Sequence, residues 1–207
     1  MKKIMFNDRY GLTEAVLSGQ KTQTRRIVPR NFFTCTHDIL DNNTLVFEDM
    51  YGDWHDVRKS KYCFKIGEVV AVAQSYKDCG YGECAPIVSL DENGIATFGS
   101  DAGSYNKMFV KADIMPHRIR ITNVRVERLQ DISDEDCIKE GIYPYYYGDE
   151  KEKIECGFYP DGFSFDGIDC HYPTPREAYA ALIDKVSGKG TWESNPYVFA
   201  YDFELVK

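Results

Sequence analysis

Arg118-Ile119-Arg120-Ile121-Thr122-Asn123-Val124-Arg125-Val126-Glu127 alternates charged and apolar side chains, with a slip of one residue in its middle. Ile119 and Ile121 share one face, whereas Val124 and Val126 carry the opposite parity. Because the side-chain period of a strand is two, such a slip turns the second half over unless a bulge absorbs it, and bulges accompany sheets that curl. The stretch therefore predicts a long strand, curved at Thr122-Asn123, in a sheet that closes toward a barrel.

Working outward, Gly67-Glu68-Val69-Val70-Ala71-Val72-Ala73-Gln74 is short, continuous and valine-rich after a glycine, the pattern of a central strand buried on both faces. Tyr197 to Leu205 alternates with Tyr197, Phe199, Tyr201, Phe203 and Leu205 on one face, which predicts a C-terminal strand covering a core. Short helices are expected from Thr13 to Ser18, closed by Gly19, from Ser133 to Gly141, and from Thr174-Pro175 to about Val186, each with its capping residues. A hairpin is expected within Asn31–Asp56, around Asp41-Asn42-Asn43. The segments at about 77–114, with a weak hairpin signal at Asp91 to Gly94, and at about 142–173 read as insertions. The sum is an α+β chain: a small mixed or antiparallel barrel flanked by short helices, one domain over 1–207 with two insertions.

The 207 residues are 43% hydrophobic with a net charge of -8, enough to bury a core and unfavourable for a long polyanion over most of the surface. No apolar run reaches the length of a signal peptide or a membrane span, so a soluble, cytoplasmic protein without membrane contact is expected. Seven cysteines, odd in number and irregular in spacing, read as reduced thiols. Cys79-x4-Cys84, Cys35-x-His37 and Cys170-His171 do not repeat a zinc-knuckle spacing, and neither metal nor cofactor is expected.

Against this acidic background, Gly19 to Arg30 carries four positive charges and two hydroxyls and no carboxylate. Such a cluster draws a phosphate or other small anion. Within it Lys21 and Thr24 make a chemically suggestive pair, since a threonine hydroxyl becomes a nucleophile only when a base takes its proton. Lys21 serves as that base if burial, or the like charges of Arg25 and Arg26, favour its neutral form. The plain alternative is a solvated strand edge. Glu140, at the negative end of its helix, is a candidate acid or base. Tyr143 and Tyr145 to Tyr147 suit either base stacking or packing of an insertion.

The chain resembles the ASCH family, a branch of the PUA-like barrels, and in particular its prophage-type members. Val16-Leu17-Ser18-Gly19-Gln20-Lys21-Thr22-Gln23-Thr24-Arg25-Arg26 is similar to the family's opening signature, and Gly67 to Tyr76 to its buried strand. Met115-Pro116-His117-Arg118, Val124 to Ser133, Ile138-Lys139-Glu140-Gly141-Ile142 and Trp192 to Val198 follow in order. The resemblance implies a small barrel with a basic cleft beside the signature for RNA or a modified nucleoside. In some members it also implies an amidohydrolase that deacetylates N4-acetylcytidine, with Lys21, Thr24 and Glu140 at the catalytic positions. Arg25, Arg26 and Gln74 would bind ligand, Gln74 standing where relatives carry an acid and Ala71 where they carry tryptophan. A non-catalytic protein-interaction domain is the third expectation.

Overall fold

The structure is a computed structural model that describes residues 1–29, 37–40, 44–48, 51–81, 86–90, 92, 94–146, 150, 154, 160–165 and 172–206, with the backbone alone at 37–40, 44–45, 47 and 88. In chain order its elements are β1 (Lys3–Ile4), α1 (Leu12–Leu17), β2 (Gln23–Ile27), β3 (His37–Leu40), β4 (Thr44–Glu48), β5 (Trp54–Asp56), β6 (Val69–Val72), β7 (Ile87–Leu90), β8 (Ala96–Phe98), β9 (Arg118–Arg128), α2 (Asp134–Lys139), β10 (Tyr143–Tyr145), β11 (Gly162–Ser164), α3 (Pro175–Ser187), α4 (Thr191–Ser194) and β12 (Tyr197–Val206). The fold is mixed α+β. Its largest sheet has five strands in the order β1-β6-β9-β12-β2, with β1 parallel to β6 and β6 antiparallel to β9.

The described chain divides into two compact units, and β9 and β12 each contribute residues to both. The first comprises Met1–Phe6, Gly67–Arg120 and Glu204–Lys207. Here Val70, Ala71 and Val72 of β6 are buried, as its unbroken apolar run predicts, while Val69 is half-buried, and Ala71, Ala73, Tyr76, Val110, Ala112 and Met115 form a core cluster. Two glycines of the first insertion, Gly99 and Gly103, have a packing reason. A Cβ on Gly99 would fall 2.1 Å from the Tyr76 hydroxyl oxygen, and one on Gly103 would fall 2.4 Å from the Tyr76 ring. Backbone therefore presses against this fully buried ring where any side chain would collide. The hairpin signal at Asp91 to Gly94 lies between β7 and β8, which pair antiparallel with an irregularity between Ile87 and Ser89, although Asp91 and Asn93 themselves are outside the described residues. Lys3 ties the N-terminal strand down, its ammonium donating to the carbonyls of Lys107, Met108 and Val110.

The second unit comprises Asn7–Ile66 and Ile121–Phe203 and holds the opening segment. α1 begins one residue before the expected Thr13, with Gly11 at its N-cap, and Gly19 at φ 80° ends the helical run as its position predicts. α2 starts at the Ser133 cap, whose hydroxyl accepts from the Asp136 N–H at 3.2 Å, and Gly141 follows it at φ 101°. α3 starts at the Thr174 cap with Pro175 in its first turn, and buries Pro175, Ala178, Tyr179, Leu182 and Ile183, the i, i+3, i+4, i+7, i+8 stripe of an amphipathic helix. β3, β4 and β5 form an antiparallel meander in which the expected Asn31–Asp56 hairpin lies, although its turn at 41–43 is outside the described residues. In the second insertion β10 pairs antiparallel with β11, order that aromatic and glycine-rich composition did not reveal.

Two strand readings are modified. β9 runs without interruption from Arg118 to Arg128, and the phase slip appears as two consecutive exposed residues, Thr122 and Asn123, after buried Ile119 and Ile121. In β12, Val198, Phe199, Ala200 and Tyr201 are all buried rather than alternating. The strand lies between β9 and β2 in the sheet order, so its small Val198 and Ala200 are covered along with the aromatic face.

Candidate functional site

The turn after α1 delivers Lys21 into the second unit: its backbone N–H donates to the Ala15 carbonyl at 2.7 Å, and the neighbouring Thr22 N–H donates to the Lys139 carbonyl at 2.9 Å. The Lys21 side chain is 2% exposed, and its ammonium lies 2.5 Å from Glu140 Oε2 while also donating to the Glu140 carbonyl. Gly141 packs beside this lysine, where a Cβ would make only ordinary contact at 3.7 Å from Lys21 Cδ, so it is the φ of 101° rather than space that favours glycine there. Burial pulls the Lys21 ammonium below its ordinary value; the Glu140 carboxylate opposes that shift, and Arg26 and Arg25 add to it. Burial, with the neighbouring arginines, thus acts in the direction a lysine base requires.

β2 pairs antiparallel with β12, setting Gln23 opposite Asp202, Thr24 opposite Tyr201, Arg25 opposite Ala200 and Arg26 opposite Phe199. Alternation places Gln23 and Arg25 on one face and Thr24 and Arg26 on the other. On the first face Arg25 is fully enclosed. Its guanidinium donates to Glu127 Oε1 from Nε at 2.8 Å and from Nη2 at 2.6 Å, to Asp136 Oδ2 at 2.9 Å, to Glu140 Oε1 at 3.2 Å and to the Gln23 side-chain oxygen. Although burial works against its charge, Glu140, Tyr179 and Glu127 hold the Arg25 guanidinium above its ordinary value. The network continues through Arg125, which bridges Asp136 at 2.8 Å and Asp202 at 3.0 Å, and Asp202 in turn accepts from Gln23.

On the opposite face Thr24, 4% exposed, lies across from Tyr201, whose ring meets Phe64 edge-on at 5.4 Å and whose hydroxyl accepts from the Phe64 N–H. Burial, reinforced by Cys63, raises the Tyr201 phenol well above its usual range. Arg26 is half-buried, and burial lowers its guanidinium against the pull of Glu140 and Tyr201. Among the described residues no hydrogen bond joins the Thr24 hydroxyl to the Lys21 ammonium.

The structure thus brings Lys21, Arg25 and Glu140 into direct contact, with Arg26 close enough to act on their charges and Thr24 on the reverse of the same strand. Gln74 belongs to the first unit, where it is 5% exposed and its side-chain oxygen has no hydrogen-bond partner among the described residues. The solvated-edge alternative does not hold for Lys21, Gln23, Thr24 and Arg25, all of them buried. Nor is Arg25 turned toward an incoming anion: it already holds three of the protein's own carboxylates, which the positive count of the opening segment concealed. Glu127, Asp136, Asp202 and Gln23 are the members that sequence reasoning passed over. Two signals pointed to them: the parity of Gln23 with Arg25, and a charged Asp202 between the apolar Tyr201 and Phe203.

Among the described residues no group of three or more His, Cys, Asp or Glu side chains is arranged to hold a metal ion, and no helix is long and apolar enough to cross a membrane. Cys63, Cys79 and Cys137 are free thiols. Fold and site together define a mixed α+β protein in which a buried lysine–glutamate pair, from the turn before β2 and the cap of α2, joins an arginine–carboxylate network centred on Arg25 of β2. Comparison with protein-family models, with curated proteins and with solved structures finds no match.

Proposed function

We propose that this chain is a PUA-like domain of the ASCH type that recognises a modified nucleoside, free or carried in RNA, at the segment around Lys21 and Glu140. The observation that carries the reading is the buried Lys21–Glu140 contact. A desolvated ion pair is a poor source of stability, so a buried lysine with a displaced pKa marks a candidate functional position. The inward commitment of Arg25 favours a small ligand of low charge over an extended phosphate backbone. A closed barrel is part of this proposal, supported by the mixed five-stranded sheet. Titration calorimetry with N4-acetylcytidine, cytidine and a short single-stranded RNA tests it. Saturable binding of a nucleoside, lost in Lys21→Ala of preserved fold, is expected; absence of binding to all three overturns it.

A second reading, deacetylation of an N4-acylated cytidine, is favoured by the depressed Lys21 ammonium. Thr24 Oγ, which makes no hydrogen bond to Lys21 in this structure, would have to come within reach of the Lys21 amine when substrate binds, and would then attack the acetyl carbonyl while neutral Lys21 takes its proton. Cleavage of the C–N bond then sends a proton to the cytosine amine, with Glu140 assisting, and water hydrolyses the acetyl-threonine to acetate. Chromatography of N4-acetylcytidine incubations decides it: release of cytidine that disappears in Thr24→Val supports turnover, and binding without release leaves recognition alone.

A further inference from the structure

A second feature of the same unit lies outside the Lys21–Glu140 contact. An open cleft with a volume of about 210 Å³ runs beside α1, walled by Tyr10, Tyr143 and Phe165 and edged by Arg9, Glu14 and Gln20. Its floor is built from packed rings: Tyr10 and Phe165 meet edge-on at 5.9 Å, Tyr172 stacks on Phe165 at 6.0 Å, and the Lys185 ammonium lies over Phe165 at 4.6 Å, which leaves Tyr143 as the ring with an open face. Its mouth is different. Arg9, Glu14 and Gln20 are exposed, and Tyr143 is half-buried. Among the described residues the Arg9 guanidinium forms no ion pair and lies over the Tyr10 ring at 5.8 Å, the Glu14 carboxylate and the Gln20 amide form no hydrogen bond, and the Tyr143 ring packs on no other ring. Three aromatic walls with a few convergent polar groups are the composition of a small-ligand site, and a ring left without a stacking partner is the surface on which a planar heterocycle gains most.

We propose that this cleft binds an amino-bearing aromatic heterocycle of nucleobase type, stacked on Tyr143, with Arg9 donating to its ring or carbonyl acceptors and Glu14 accepting from its exocyclic amine. The pairing follows from the donor inventory: a guanidinium only donates and a carboxylate only accepts, so the ligand must present an acceptor and an N–H₂ group on one edge. Cytosine, guanine and adenine meet that requirement, and uracil lacks the amine. The cleft does not depend on the Lys21–Glu140 reading, since none of its wall residues belongs to that contact.

Saturation-transfer NMR and calorimetry on the full chain with cytidine, guanosine, adenosine and uridine test the assignment. The expected result is binding of at least one amino-bearing nucleoside at least tenfold tighter than uridine, weakened about tenfold or more in both Arg9→Ala and Tyr143→Leu, with the preference over uridine erased in Glu14→Gln. These positions are exposed or half-buried, and circular dichroism of each variant checks the fold. Binding that survives all three substitutions but disappears in Lys21→Ala overturns the cleft and leaves the Lys21–Glu140 reading standing. Equal affinity for uridine, or binding of none of the four, overturns the cleft outright.

Discussion

The Lys21 ammonium and the Glu140 carboxylate, 119 residues apart in sequence, meet at 2.5 Å with both side chains nearly excluded from solvent. The contact joins the turn after α1 to the residue that caps the C-terminus of α2, and Arg25 holds the other carboxylate oxygen. Removing Lys21 strips the buried Glu140 carboxylate of its nearest partner and leaves it to Arg25 alone, whereas removing both takes away the desolvation cost with the attraction. We expect Lys21→Met to cost roughly 3–5 kcal/mol, and Lys21→Met with Glu140→Met to recover most of that loss. Urea unfolding of the two variants measures it. A double variant as unstable as the single one would mean that the pair itself stabilises the fold.

Arg25 and Arg125 share Asp136 yet differ in burial, with side chains 0% and 38% exposed. Arg25→Lys keeps the charge but loses the fork that reaches several carboxylates, and a loss of roughly 3 kcal/mol is expected. Arg125→Ala, in partial contact with water, should cost about 1 kcal/mol or less. Thermal or urea unfolding compares them; equal losses would contradict the central place given to Arg25.

Asp136 and Cys137 contribute to opposite limbs of the pH profile. Although burial opposes it, hydrogen bonding and charge from Arg25 hold the Asp136 carboxyl below its ordinary 3.8. Its contribution is therefore full above 3.8 and disappears as pH falls through the lower folded value. Cys137 shows the reverse: burial pushes its thiol from 9.0 up to about 12. That contribution is full below 9 and declines as pH rises toward 12, because the unfolded thiol ionises first. Unfolding free energies between pH 2 and 11 should show a shallower acid limb in Asp136→Asn and a shallower alkaline limb in Cys137→Ala. Mass spectrometry after alkylation at pH 8 should find Cys137 unmodified in native protein and modified in urea.

Gly103 is predicted to be intolerant for a reason its own conformation does not supply. No unusual φ is involved; the obstacle is the Tyr76 ring. Gly103→Ala should cost about 1–3 kcal/mol through overpacking, and Tyr76→Leu in the same chain should relieve part of it. An unchanged unfolding midpoint in Gly103→Ala would show that the ring moves aside without cost.

What the sequence determined by itself was the local structure. Ser133 and Thr174 with their caps, Gly19 and Gly141 after their helices, and the valine run of β6 specified elements close to where they lie, because caps, left-handed glycines and side-chain periods act within a few residues. The positive charge of Gly19 to Arg30 was equally visible, but its meaning was not. Whether Arg25 faces a ligand or the protein's own Glu127, Asp136 and Glu140 depends on partners about a hundred residues away, which only the pairing of β2 with β12 and the placement of α2 bring to it. Burial likewise arises from packing, so only the tertiary structure turned Lys21 from a charged loop residue into a desolvated one held by Glu140.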